Sequence, residues 1–127
     1  MISNGNMSKL QTAYTGLLNA QAELNRPHED VVTLSACQAM RSSMRMMMEA
    51  YLSIHDAPAS DEASISELAE MCSRRNSAFA KVAMSNLDCR DAQHCDCDGK
   101  YCLSVTHVSG CLVAAHQVKE IVWKELM

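Results

Sequence analysis

Aromatic side chains make up only 4% of the 127 residues, with one Trp, one Phe and three Tyr. A sheet core draws on far more aromatic and β-branched side chains, so this shortage argues against strands. Proline occurs twice and glycine four times, too few breaks for many short elements, so the chain must run in a few long ones. A basic excess is missing too. The formal net charge is −4, which argues against general DNA binding, because nonspecific binding rests on neutralising many phosphates. No run of about eighteen apolar residues occurs, so no membrane span is expected. The opening "MISNGNMSKL" lacks the charged-then-apolar order of a secretory leader. A cytoplasmic, reducing setting follows, and there an odd count of seven Cys reads as free thiols or metal ligands rather than disulfides.

What the chain does have is ten Met and abundant Ala within a hydrophobic content of 48%. Both are good helix formers, and the chain is long enough to bury a core as one domain. The expected architecture is all-α, an up-and-down bundle of four to five helices spanning residues 1–127, with 1–7 as a frayed lead-in.

The helices follow from apolar spacing. Leu10, Tyr14, Leu17 and Leu24 form a first stripe ending before "NRPH". Pro27 suits the first turn of a second helix, with Glu29 and Asp30 at its positive end. In that helix Cys37, Met40, Met44, Met47, Tyr51 and Ile54 step by three and four, the spacing of a buried seam. Val32, Ala36, Ala39, Ser43 and Ala50 run beside it as small residues that admit a close neighbour. Ser64 and Glu67 stand in capping-box order at the start of a third helix, and "SRRNS" predicts a break near Arg75 and Asn76. Val105, Val108, Leu112, Ala115, Val118, Val122 and Leu126 mark a closing helix from about Lys100.

Three stretches carry a resemblance over most of the chain, about Ser8 to Leu126. They are "RMMMEAYLSIHDAPA", "SISELAEMC" and "CLVAAHQVKEIVWKEL". Their order and helix lengths resemble the HEPN domains, helical bundles often paired with nucleotidyltransferases in toxin–antitoxin and defence systems. The resemblance implies a nucleotide- or RNA-associated module, often a homodimer, working with a companion protein. In its ribonuclease members an Arg and a nearby His cut RNA. The nearest match in this chain is Arg90 with His94 in "CRDAQH", with three residues between them, one fewer than the shortest spacing in the family motif. A non-catalytic member is therefore the preferred reading.

The densest chemistry lies in "DCRDAQHCDCDGKYC", where Cys89, His94, Cys95, Cys97 and Cys102 could surround a zinc ion. No CxxC occurs there, and Cys95 and Cys97 point to opposite sides in extended chain. Small thiols packing a loop onto the bundle end is the favoured alternative. A redox role is weaker, because Asp88, Asp91, Asp96 and Asp98 oppose the positive charge that lowers a thiol pKa. The Met group around Met44 could suit Cu(I), yet its positions are ordinary core positions. For a phosphate the candidates are Arg41, Arg45, Arg74, Arg75 and Arg90, since guanidinium matches phosphate oxygens. Arg45 is equally placed to pair with Glu49 on a solvated face. Trp123, the single Trp, suits a dimer contact or a core cap.

Overall fold

A computed structural model describes residues 4–27, 33–57, 62–82 and 105–126, with the backbone alone described at 33, 34, 66 and 105–108. All regular structure among the described residues is helical. The elements are α1 (Asn4–Leu24), α2 (Thr33–Ile54), α3 (Ile65–Arg75), a 3-10 segment (Ser77–Lys81) and α4 (Val105–Leu126). No described helix is long and apolar enough to cross a membrane.

α2 is central. Cys37, Met40, Met44, Met47 and Tyr51 are all buried, as the seam predicts, and Ile54 is half-buried. Met48 and Leu52 join them, so α2 buries two faces rather than one stripe. α1 packs along it in the opposite direction. Asn6 Nδ2 donates to Ser53 Oγ at 3.4 Å, and Lys9 Nζ lies 3.8 Å from Glu49 Oε1. Further along, Gly16 faces Ala39 and Ser43, where a methyl on Gly16 would overlap Ser43 Oγ. The small-residue line of α2 thus admits the neighbouring backbone at a glycine.

α1 ends at Leu24, just before "NRPH" as expected, but departs from expectation at its start and on its face. It is helical from Asn4, inside the stretch expected to fray, and Pro27 lies outside any helix. Its buried residues are Leu10, Ala13, Leu17 and Ala20, while Tyr14 is 41% exposed. The close approach at Gly16 leaves room for alanines against α2 and turns the bulkier Tyr14 to the rim.

α3 begins at the expected capping box. Glu67 N–H donates to Ser64 Oγ at 3.1 Å, and Ser64 N–H to Glu67 Oε1 at 3.5 Å. The helix stops at Arg75, and Asn76 is extended at φ −144, ψ 111, so the "SRRNS" break is real. An up-and-down bundle would turn α3 against α2, but α3 runs in the same sense. Arg45 Nη1 donates to the Ala63 carbonyl just before α3, and the Cys72 thiol faces the Met48 carbonyl at 3.9 Å. At the far end the Tyr51 and Phe79 rings meet at 5.0 Å between centroids. The reason is linker length. About nine residues separate Ile54 from Ser64, enough to run back the roughly 14 Å to Arg45 before a new helix starts.

α4 closes the core with Cys111, Ala114, Ala115, Val118 and Val122, all buried. Its contacts with α1 and α2 join the four helices and the 3-10 segment around one continuous apolar cluster.

Candidate functional site

Three helices bring their C-terminal ends together. α2 stops with Ala57 N–H donating to the Leu52 carbonyl at 2.9 Å and Asp56 N–H to the Ser53 carbonyl at 3.1 Å, while Asp56 takes a φ of 58°. This is a Schellman closure with Asp56 in the left-handed position usually held by Gly, and it leaves His55 at the helix end. α3 stops at Asn76, whose N–H donates to the Cys72 carbonyl at 2.9 Å and whose Oδ1 accepts from Ala78 N–H at 3.0 Å. α4 contributes Glu125 from its last turn.

Glu125 joins the three ends. Asn76 Nδ2 donates to Glu125 Oε2 at 3.2 Å, and His55 Nε2 lies 3.1 Å from Glu125 Oε1. Beneath them Tyr51 packs its ring on His55 at 4.6 Å between centroids. The Tyr51 hydroxyl and His55 Nε2 are both buried, and neither meets full hydrogen-bond geometry. Each has the Glu125 carboxylate as its polar neighbour. Burial and then the adjacent Glu125 carboxylate raise the Tyr51 pKa. Burial alone would raise Glu125 as well, but the Tyr51 hydroxyl, the Asn76 amide and His55 outweigh it and hold Glu125 below its ordinary value. Glu125 is therefore ionised at neutral pH. Cys72, nearby in the core, has its thiol pushed up to about 12 by burial, which makes it inert as a nucleophile.

A cavity of about 610 Å³ opens beside Glu125, lined also by Asn76, Ala78, Glu120, Ile121 and Lys124. A second of about 270 Å³ shares Ala78, Glu120 and Ile121 with it and continues past Val82 and Gln117. Together they form a groove along α4 in which the charged groups of Glu125, Glu120, Lys124 and Lys81 surround apolar walls of Ala78, Val82 and Ile121. Its size lies in the range of small-molecule sites.

The sequence-selected residues are placed as follows. Arg45 bonds the Ala63 carbonyl and sits 3.5 Å from Glu49 Oε2, so the expected pair with Glu49 is present. Arg41 lies one turn earlier on α2, half-buried. Arg74 pairs with Glu70 at 2.7 Å, and Arg74 and Arg75 border a cavity of about 190 Å³ with Leu52, Ala57 and Met71. Arg45 is thus at the beginning of α3 and Arg74 near its end, roughly 16 Å apart along the axis. Cys89, Arg90, His94, Cys95, Cys97 and Cys102 lie outside the described residues. Among the described residues no three His, Cys, Asp or Glu side chains gather as a metal site requires.

The sequence marks neither His55 nor Glu125 as a site residue, gives Asn76 only as part of a helix break, and places Tyr51 only in the seam. Glu125 stands 49 residues from Asn76 and farther still from His55 and Tyr51, which hides their convergence. Only the break at "SRRNS" hinted that Asn76 had a special position. Comparison of the chain with protein-family models, curated proteins and solved structures gives no match.

Proposed function

We propose that the chain is a non-catalytic, HEPN-like helical binding and assembly module that acts as a homodimer and holds a nucleotide, an RNA or a companion protein. One observation carries the assembly part. On α1, Tyr14 and Leu18 stand one turn apart with 41% and 47% of their surface exposed. Trp123 of α4 extends the same edge, its ring 6.2 Å from that of Tyr14, with Lys119 Nζ 5.1 Å above the Tyr14 ring. Tyr and Trp supply large, stiff contact area and are favoured at the centres of protein interfaces. An edge built from both, with a Leu beside them, is suited to covering by a second copy.

Sedimentation equilibrium over a range of concentrations tests this. The expected result is a monomer–dimer equilibrium that Leu18→Glu shifts to monomer without loss of helicity. A wild-type chain that stays monomeric at every concentration overturns the dimer. Binding of labelled RNA or nucleotide, followed by anisotropy and weakened by Arg41→Ala or Arg75→Ala, tests the ligand half.

A further inference from the structure

We propose that Lys119 and Glu120 pair reciprocally across the two-fold axis of the homodimer, the ammonium of each copy meeting the carboxylate of the other. This rests on the reading of the α1–α4 edge as the homodimer surface, and it adds the contacts that set the register of that surface and its choice of partner.

The two residues flank the aromatic edge. Lys119 and Glu120 precede Trp123 on α4 by about one turn, so both neighbour it on the helix surface. Lys119 is half-buried and Glu120 exposed. Lys119 Nζ lies 5.1 Å from the centroid of the Tyr14 ring and 5.9 Å from that of Trp123, with the two rings inclined at 46°. Among the described residues neither Lys119 nor Glu120 enters an ion pair. Ring faces attract the ammonium but do not supply the acceptors that its three N–H donors need.

Covering the edge turns this into a requirement. A second copy removes water from Lys119, and a desolvated ammonium without a carboxylate is strongly unfavourable. The arriving surface must therefore bring a carboxylate. On the two helices of the edge the acidic residues are Glu23 of α1 and Glu120 and Glu125 of α4. Glu23 is paired with Arg26, and Glu125 faces Asn76 and His55. Glu120 is the carboxylate that remains, and it stands beside the cation it would meet. A two-fold interface is self-complementary, each contact occurring twice with the copies exchanged. Two α4 helices crossing antiparallel beside these adjacent residues set each Lys119 opposite the other copy's Glu120, and both pairs form at once.

Sedimentation equilibrium of charge reversals tests the pairing. Lys119→Glu alone and Glu120→Lys alone each set like charges opposite one another twice, and each should weaken the dimer about tenfold or more. Mixed in equal amounts, the two variants should recover the dimer, because each supplies the sign that the other lacks. The neutral changes Lys119→Gln and Glu120→Gln should each weaken it about threefold. Circular dichroism should show wild-type helicity throughout, since both side chains lie at the surface. A wild-type dimer that the reversals leave intact, or reversals that stay monomeric on mixing, overturns the pairing and leaves the dimer standing. A wild-type chain that is monomeric at every concentration overturns the dimer itself, and the pairing with it.

Discussion

Gly16 and Glu125 show how single residues set the two ends of the packing. At Gly16 a methyl would overlap Ser43 Oγ, while the Ala39 carbonyl at 3.4 Å and Ser43 Cβ at 3.5 Å would be ordinary contacts. Gly16→Ala gains about 1 kcal/mol of helix propensity, but it forces a buried hydroxyl to turn, at a cost of about 1–2 kcal/mol. The expected net effect is neutral to about 1 kcal/mol destabilising. In a Ser43→Ala background the obstruction is gone, and the same change should stabilise by up to about 1 kcal/mol. Chemical denaturation of the four proteins in this cycle checks it, and equal effects in both backgrounds would disprove the contact. Glu125 makes its contribution through pH. Its carboxyl is held below its ordinary value in the folded chain, so it favours folding above the unfolded pKa of about 4.3. That stability is lost as pH falls through the lower folded value. Denaturation midpoints measured from pH 7 downward should therefore fall more steeply in the wild type than in Glu125→Gln. Parallel curves would mean that Tyr51, His55 and Asn76 do not hold the charge.

The ends of the helices are where local chemistry decides most. Asp56 occupies the left-handed position of the α2 closure at φ 58°, a conformation that costs an L side chain about 1 kcal/mol or more and glycine almost nothing. Asp56→Gly should raise stability by about 0.5–1 kcal/mol, whereas Ser64→Ala should lower it by about 1 kcal/mol through loss of the α3 cap. Thermal unfolding of the two variants should move in opposite directions. Such features were legible in the sequence where a signal is short-range. The Ser64–Glu67 box, the Cys37-to-Tyr51 seam and the break after Arg75 each depend on neighbours within a turn or two, and each is present. Tyr14 was misplaced because spacing alone does not distinguish it from Ala13, one residue earlier. The tie-break came from α2, whose Ala39 and Ser43 bring its backbone close. The direction of α3 was hidden in linker length, and the site around Glu125 in contacts between residues far apart in sequence. Nothing local marks a carboxylate in the last turn of α4 as the meeting point of three helix ends.

Across the molecule the seven thiols fall into two groups, and their reactivity reads out the packing of the whole. Cys37, Cys72 and Cys111 are buried in the apolar cluster, on α2, α3 and α4 respectively, with at most 2% of their surface exposed. A reagent that attacks thiolate reaches them only when the core opens, and opening also removes the burial that pushes the Cys72 thiol up to about 12 in the folded chain. Because the shift is upward, the protonated thiol favours the folded state. Its contribution is complete below the ordinary thiol pKa of about 8.5 and is lost as pH climbs toward about 12. The other four, Cys89, Cys95, Cys97 and Cys102, belong to the stretch in which a packed loop was favoured over zinc. Thiol labelling of the native protein, read by mass spectrometry of its peptides, separates the groups. Cys37, Cys72 and Cys111 should label together at the rate of global unfolding, since one cluster joins their three helices and opens as a unit. Faster labelling of Cys111 alone would show that α4 detaches independently and that the groove beside Glu125 is not held by the rest of the core. The other four should label at a rate that chelator leaves unchanged. Acceleration of all four by chelator, with a loss of thermal stability, would instead establish a zinc site whose binding energy is part of the folding energy.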